Sequence, residues 1–297
     1  MGKEFDVALG GKIKSVRTSL GLTLQEVSRR MGFSSYQILS SIERGERTIK
    51  AAELTALGKI FHKDVGFFLN EELTVNEDFL VRWRDCSNLS DKKEKEAELR
   101  AYCDNYYDLE SRLGVNHKHS LEKLNFDETD LLQYDKIDEI AREKARQLDL
   151  GSRPACVLRK ILEEKFNVKI LFLEMVDHGS AASAMGAFGA AILVNRSEPK
   201  GRRNYDLAHE LFHLLTWDTF RGEEFSFGGE KHSALETSAN AFASSLLMPE
   251  VDIRKEFERK LKNNKIGLVD IVGIAQEFQV SVEALVWRLV NLKLLAR

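Results

Sequence analysis

The sharpest chemical signal in the chain is the run His209-Glu210-Leu211-Phe212-His213. On a helix, residues i and i+4 stack on one face, so both imidazoles can reach one metal ion. Glu210 projects beside that ion, where a carboxylate can take a proton from water held there. Neutral imidazoles and a carboxylate suit zinc, and an open coordination position makes such a site catalytic rather than structural. A catalytic zinc needs a third protein ligand. Asp218, Glu223, Glu224, His232 and Glu236 are the residues downstream that can serve. Glu236 is preferred because it opens a second apolar helix, running to Pro249, in which Ala239, Ala241 and Ala243 permit close packing against the first. The competing reading makes Glu236 a helix N-terminal charge favoured by the dipole and the histidines part of an ordinary amphipathic face. Amide hydrolysis also needs a donor for developing negative charge. Tyr205, His232 and Arg203 are the donors at hand, and spacing selects none of them.

Positioning these groups requires a mainly α fold with a small β-sheet (α+β). Helical periods run over Ile137 to Leu148, Ala155 to Phe166, Arg203 to Trp217 and Leu235 to Leu247, and again through the tail from Ile266 to Leu295. Val168 to Leu173 alternates like a strand, and Gly189 to Val194 reads as a buried one. Toward the N-terminus the elements are short helices. One begins its period at Ile13 and stops at Gly21; Thr23, with Glu26 three residues on, signals a capping box. Gly32 ends that helix, Ser34 or Ser35 starts the next with Ile38, Leu39 and Ile42, and Ile49 to Phe61 and Val65 to Leu69 complete the core. Consecutive helices joined by a tight Gly-containing turn make a helix-turn-helix. Ser90 to Leu113 keeps a helical period through Leu99, Tyr102, Tyr106, Leu109 and Leu113, as a spacer or dimer seam, and Arg82-Trp83-Arg84 reads as an anchored Trp between solvated or paired arginines.

The composition agrees. A chain of 297 residues, 43% apolar and 31% charged, suits about two soluble globular domains and excludes disordered, collagen-like and disulfide-scaffold classes. Net charge is −3, so there is no global basic field, yet residues 1–60 hold ten Lys/Arg against six Asp/Glu. The three cysteines, Cys86, Cys103 and Cys156, form no CxxC and cannot all pair within the chain, which suits a reducing compartment. With no apolar leader before Lys14 and an uncharged run, Gly179 to Asn195, too short for a bilayer, the expectation is a cytoplasmic protein without a membrane partner.

Arg203-Asn-Tyr-Asp-Leu-Ala-His-Glu-Leu-Phe-His-Leu-Leu, then Glu236-x-x-Ala-Asn-x-Phe-Ala and Leu246-Leu-Met-Pro249, resemble the ImmA/IrrE family of zinc metallopeptidases. The strand Gly189 to Asn195 and the C-terminal tail resemble it too. The resemblance implies a gluzincin-like zinc site with His209, His213 and Glu236 as ligands and Glu210 as general base. It also implies cleavage of a helix-turn-helix repressor or other regulatory protein, which would derepress stress, phage or mobile-element genes. Two positions depart from the family pattern: Phe212 stands where Gly is usual, bulk that would narrow the groove, and Asp206 where Thr is frequent.

Gly21 to Ser34, with Ile42-Glu-Arg-Gly-Glu-Arg47, resembles the Xre/Cro helix-turn-helix family, with one residue more than the common spacing between Gly32 and Ile42. The resemblance implies a double-stranded DNA operator as partner and a homodimer reading two half-sites. Ser34, Ser35, Tyr36 and Gln37 would meet base edges, while Arg44, Arg47 and Lys50 would face phosphates; a protein-docking role for the unit is the alternative. The expected domains are 1–72 (helix-turn-helix), 73–134 (helical spacer), 135–252 (peptidase) and 253–297 (helical C-terminal region). The rival to a peptidase is a non-enzymatic DNA-binding repressor or antitoxin-like regulator whose peptidase-like domain senses metal, ligand or partner.

Overall fold

The computed structural model describes residues 2–61, 63–69, 79–84, 89–115, 121–175, 181–220, 229–263 and 265–296. Cys86, Glu223 and Glu224 lie outside them. The chain divides into two units, Met1–Phe79 with Asn88–Val115 and Gly186–Phe188, and Leu80–Ser87 with Asn116–Met185 and Gly189–Arg297.

In the first unit, α1 (Gly2–Ser19), α2 (Leu24–Arg30), α3 (Tyr36–Glu43), α4 (Ala51–Phe61) and α5 (Val65–Leu69) follow the apolar periods. Leu9, Ile13 and Val16 recur at helical spacing and are buried with Val27, Leu39, Ile42, Leu57 and Phe61. Because Leu9 continues that stripe, α1 begins at Gly2 rather than at Ile13. The expected capping box forms: Glu26 N donates to Thr23 Oγ1 at 3.2 Å and Thr23 N to Glu26 Oε2 at 2.7 Å. Gly10 lets α3 approach α1, since a Cβ there would collide with the carbonyls of Ile42 and Glu43. A buried pair holds the crossing. Arg17 donates to Glu43 through Nε (2.6 Å) and Nη2 (3.0 Å), and through Nη1 to the Leu22 carbonyl at 2.7 Å. Such a fork fixes distance and orientation together.

Residues 73–134, read from sequence as a spacer, are shared between the units. Helix α6 (Leu89–Arg112) belongs to the first, where Leu99 and Cys103 are fully buried, Arg100 donates to the Ser19 carbonyl at 3.2 Å and Asp104 pairs with Lys63. Strand β1 (Leu80–Arg84) belongs to the second. There the elements are β1, α7 (Tyr134–Gln147), α8 (Leu158–Phe166), β2 (Lys169–Leu173), β3 (Ala181–Gly186), β4 (Gly189–Asn195), α9 (Lys200–Leu215), α10 (Glu230–Leu247), α11 (Glu250–Lys260), α12 (Leu268–Phe278) and α13 (Val282–Asn291).

The sheet runs in the order β1-β3-β4-β2. β1 is antiparallel to β3, with Trp83 opposite Ala182, and β2 is parallel to β4, with Ile170 opposite Ile192. The sequence reading contained neither β1 nor β3. β3 is Ala-Ala-Ser-Ala-Met-Gly, small residues of weak strand propensity, held extended by pairing. In β1 the anchored residue is Arg82, whose guanidinium lies 4.7 Å over the Trp217 ring and donates to the Phe220 carbonyl. α11 opens the helical C-terminal region expected over 253–297, three residues earlier: Pro249 is its N-cap, as Pro199 is that of α9, and Glu250 and Asp252 in the first turn favour the dipole.

The C-terminal helices share the core of the second unit: Ile274, Phe278, Leu285 and Leu289 are buried in one cluster with Leu211, Phe212 and Phe242. Arg288 ties them in. It is buried and donates to Asp138 Oδ1 (2.8 Å), Ser245 Oγ (3.0 Å) and the Met248 carbonyl (3.1 Å). At the start of α9, Gly201 packs on the Val280–Ser281 backbone, where a Cβ would meet the Val280 carbonyl carbon at 2.6 Å. Asn204 Nδ2 donates to the Gln279 carbonyl at 2.9 Å, so the tail fixes the height of α9. Among the described residues no helix is long and apolar enough to cross a membrane.

Removing Arg288 takes from the Asp138 carboxylate its buried partner and leaves the more exposed Arg142 at 3.1 Å, so Arg288→Met should lower the stability of the second unit by roughly 3 kcal/mol. Urea unfolding followed by tryptophan fluorescence checks this, because Trp83, Trp217 and Trp287 all lie in that unit. Burial alone would raise the Asp138 carboxyl, but Ser245, Arg288 and Arg142 outweigh it and hold it below the ordinary 3.8. A carboxyl depressed on folding contributes stability that is present above its unfolded pKa and lost as pH falls through the folded value. Asp138→Asn should therefore flatten the acid limb of stability below about pH 4, which unfolding curves at stepped pH would reveal.

Candidate metal centre and nucleic-acid interface

Helix α9 carries Asp206, His209, Glu210 and His213 at i, i+3, i+4 and i+7, one continuous stripe. Asp206, His209 and Glu210 are fully buried and His213 is 4% exposed. Opposite lies α10, whose Ala239 and Ala243 are fully buried and Ala241 partly so. Their small side chains let α10 bring Glu236 to the histidines.

Three residues converge through four atoms. His209 Nε2 is 3.1 Å from Glu236 Oε2, His213 Nε2 is 3.2 Å from Glu236 Oε1, and the two Nε2 atoms are 3.1 Å apart. Tetrahedral zinc with bonds of about 2.0–2.1 Å places its ligand atoms about 3.3 Å apart, so the separations between neighbouring donor groups are those a single ion requires. The donor set fits zinc chemically as well, with two imidazoles and one carboxylate. Burial would raise the Glu236 carboxyl, but hydrogen bonds from His209 and His213 and their charges hold it far below the ordinary carboxylate range. It is an anion, as a ligand must be. Among the described residues this is the group of His, Cys, Asp and Glu arranged to hold a metal ion.

The other sequence candidates separate from it. Asp218 pairs with Lys123, and His232 sits one turn before Glu236 on α10, half-buried and outside the triangle. Glu223 and Glu224 are not among the described residues. Of the donors considered for an oxyanion, Tyr205 gives its hydroxyl to the Asn240 carbonyl at 2.7 Å, and Arg203 lies 5.8 Å over the Phe172 ring. Phe212 does not narrow a groove. It is fully buried, with ring centroids 5.3 Å from both Phe126 and Phe242, because one residue's step turns it about 100° from His213. The sequence reading missed Asn240, whose Oδ1 lies 3.0 Å from His209 Nδ1. The signal was its place four residues after Glu236, which sets both on one face of α10.

In the first unit, Ser35 is the N-cap of α3 and accepts from Gln37 N at 3.2 Å. Ser34, Tyr36 and Gln37 are exposed around it. Leu39 and Ile42 face the core, which leaves Tyr36 and Gln37 on the outer side of α3. Arg44 and Arg47, expected at phosphates, are engaged internally. Arg44 donates to both oxygens of Glu46 at 2.9 and 2.7 Å, and Arg47 to Glu53 Oε1 at 2.8 Å with its guanidinium 5.7 Å over Phe33.

Compared with known families, residues 163–290 match the peptidase family described as the IrrE N-terminal-like domain, and residues 13–68 match the helix-turn-helix family. A search of curated proteins returns no match.

Elemental analysis of the full chain, supplied with zinc and then freed of excess, should find about one zinc per chain in the wild type and almost none in His213→Ala. Equal zinc in both would exclude the triangle as the binding site.

Proposed function

Because the chain joins a helix-turn-helix domain to an IrrE-like peptidase domain, we propose that it is a DNA-binding transcriptional regulator with zinc-dependent endopeptidase activity. Its substrate is a helix-turn-helix repressor or related regulatory protein, whose cleavage derepresses stress, phage or mobile-element genes. The observation that carries this reading is the convergence of His209, His213 and Glu236 at 3.1–3.2 Å, with Glu210 next to His209 on α9. Zinc held by those three residues supplies Lewis-acid polarisation of a peptide carbonyl and of water. Glu210 receives a proton from the attacking water on its carboxylate and passes it to the departing amide nitrogen. Burial of His209 and His213 keeps bulk water from these groups and strengthens their charges.

On DNA, Gln37 is placed to pair with a base and Ser34 and Tyr36 to flank it, while Ser35 sets the end of α3. Arg44 trades an exposed ion pair, of little intrinsic worth, for a phosphate. A homodimer on two half-sites follows the general geometry of such domains.

One observation favours the second reading, a regulator that senses metal or a partner without hydrolysis: Glu210 is fully buried, whereas a general base must reach its substrate. The Glu210→Gln variant separates the two. With zinc-loaded chain incubated against helix-turn-helix proteins of the host and fragments read by mass spectrometry, it should keep its metal and lose at least about 100-fold in cleavage rate. Cleavage at the wild-type rate would refute the peptidase mechanism; no cleavage by wild type, with DNA binding altered in His213→Ala, would establish the sensor.

A duplex selected by the wild-type chain from a random pool tests the interface. Gln37→Ala should cost about 1–3 kcal/mol on that duplex and little on unrelated DNA. Arg44→Ala should weaken both alike and reduce the salt slope by about one.

A further inference from the structure

We propose that Asn240 is a positioning residue of the metal centre, fixing His209 as the Nδ1–H tautomer so that Nε2 presents its lone pair to the cation. The inference rests on the reading of His209, His213 and Glu236 as ligands.

A neutral imidazole has one N–H and one lone pair, and the hydrogen bond made by one nitrogen decides which the other carries. His209 Nδ1 lies 3.0 Å from Asn240 Oδ1, an acceptor without a proton, and Nε2 lies 3.1 Å from Glu236 Oε2. Glu236 and Asn240 are one turn apart on α10. A single turn of one helix therefore addresses both nitrogens of the same ring, which sets the ring's tilt as well as its tautomer. The backbone joins in. The Tyr205 hydroxyl, one turn before His209 on α9, donates to the Asn240 carbonyl at 2.7 Å, so Asn240 is gripped through main chain and side chain by the helix that bears the histidines.

The choice of an amide has its own logic. Asp206 and Glu210 are already fully buried on α9, and Glu236 adds a third carboxylate. An aspartate at 240 would orient the ring equally well but add another charge where desolvation is costly. Asparagine accepts the bond and adds none.

The test uses the full chain with zinc as probe and three variants, Asn240→Leu, Asn240→Asp and Tyr205→Phe. Zinc affinity is measured by competition with a chromophoric chelator. Asn240→Leu should raise the dissociation constant roughly 10–100-fold, and Asn240→Asp should restore it to within a few-fold of wild type while lowering the melting temperature of the metal-free chain. Tyr205→Phe should give a smaller loss in affinity. In parallel, nitrogen-15 shifts of His209 in the metal-free chain should report a proton on Nδ1 in wild type, whatever Nε2 carries toward Glu236, and its partial loss in Asn240→Leu. Wild-type zinc affinity and an unchanged tautomer in Asn240→Leu would overturn the proposal. Loss of affinity in Asn240→Leu that Asn240→Asp does not restore would reduce Asn240 to a packing role and overturn it too. A wild type that binds no zinc would refute the ligand reading instead, and the tautomer measurement would still decide the role of Asn240.

Discussion

The crossing of α9 and α10 is the constraint on which the second unit depends, because the triangle of donor atoms is assembled from both helices and tolerates little slippage. His209 and His213 are one turn apart on α9, and any amphipathic helix would bring them together. Glu236 is different: a displacement of α10 by a fraction of a turn removes it. The fixed distance follows from Ala239 and Ala243, which allow the helix to approach, and from the turn that leads into α7, where the Leu132 N–H donates to Ser238 Oγ at 3.0 Å. The height of α9 is set from the C-terminal side by Gly201 and Asn204 on the α12–α13 turn. This is a physical reason for the tail to belong to the same unit as the metal-binding helices.

The same crossing concentrates buried charge. Asp206, Glu210 and Glu236 on two adjacent helices would repel one another if nothing intervened, and desolvation adds to the cost. Arg202 Nε, 3.3 Å from Asp206 Oδ1, offsets part of it, and the histidine nitrogens keep Glu236 ionised. A divalent cation, if the proposed site binds one, would compensate all three residues at once, since a proton between two of them leaves the third facing a lone pair. Buried charge here is a cost to stability, and under the proposed zinc site binding would relieve it, coupling metal affinity to folding.

The first unit shows the opposite economy of charge. The buried Arg17–Glu43 pair secures the α1–α3 crossing, and the exposed Arg44–Glu46 pair lies beside the surface that would meet DNA. Arg44 and Glu46 are both more than half exposed, so solvent already screens them and a phosphate competes on even terms. Arg47 is less free: it is half-buried, paired with Glu53 and stacked over Phe33. The two arginines are therefore unequal as phosphate contacts, although they are equivalent as letters in a sequence.

What could be read beforehand follows from range. Local periodicity carried the helices of the first unit, the capping box at Thr23 and the two-histidine face of α9, since each depends on residues within a turn or two. The small residues of α10 made Glu236 the preferred third ligand because close approach of helices has a compositional mark. β3 had none: Ala-Ala-Ser-Ala-Met-Gly is a strand only because Leu80–Arg84 and β4 pair with it, and in β1 the alternation of Val81-Arg-Trp-Arg84 is a signal only four residues long. Phe212 shows the remaining difficulty. Adjacent in sequence to His213, it invites a role in the groove, yet a single step around a helix sends it to the Phe126–Phe242 side of the core. Asn240 shows the converse, distant from His209 in sequence and bonded to it in space. Neighbourhood along the chain is thus a poor guide to neighbourhood at the metal, and spacing by whole helical turns is a much better one.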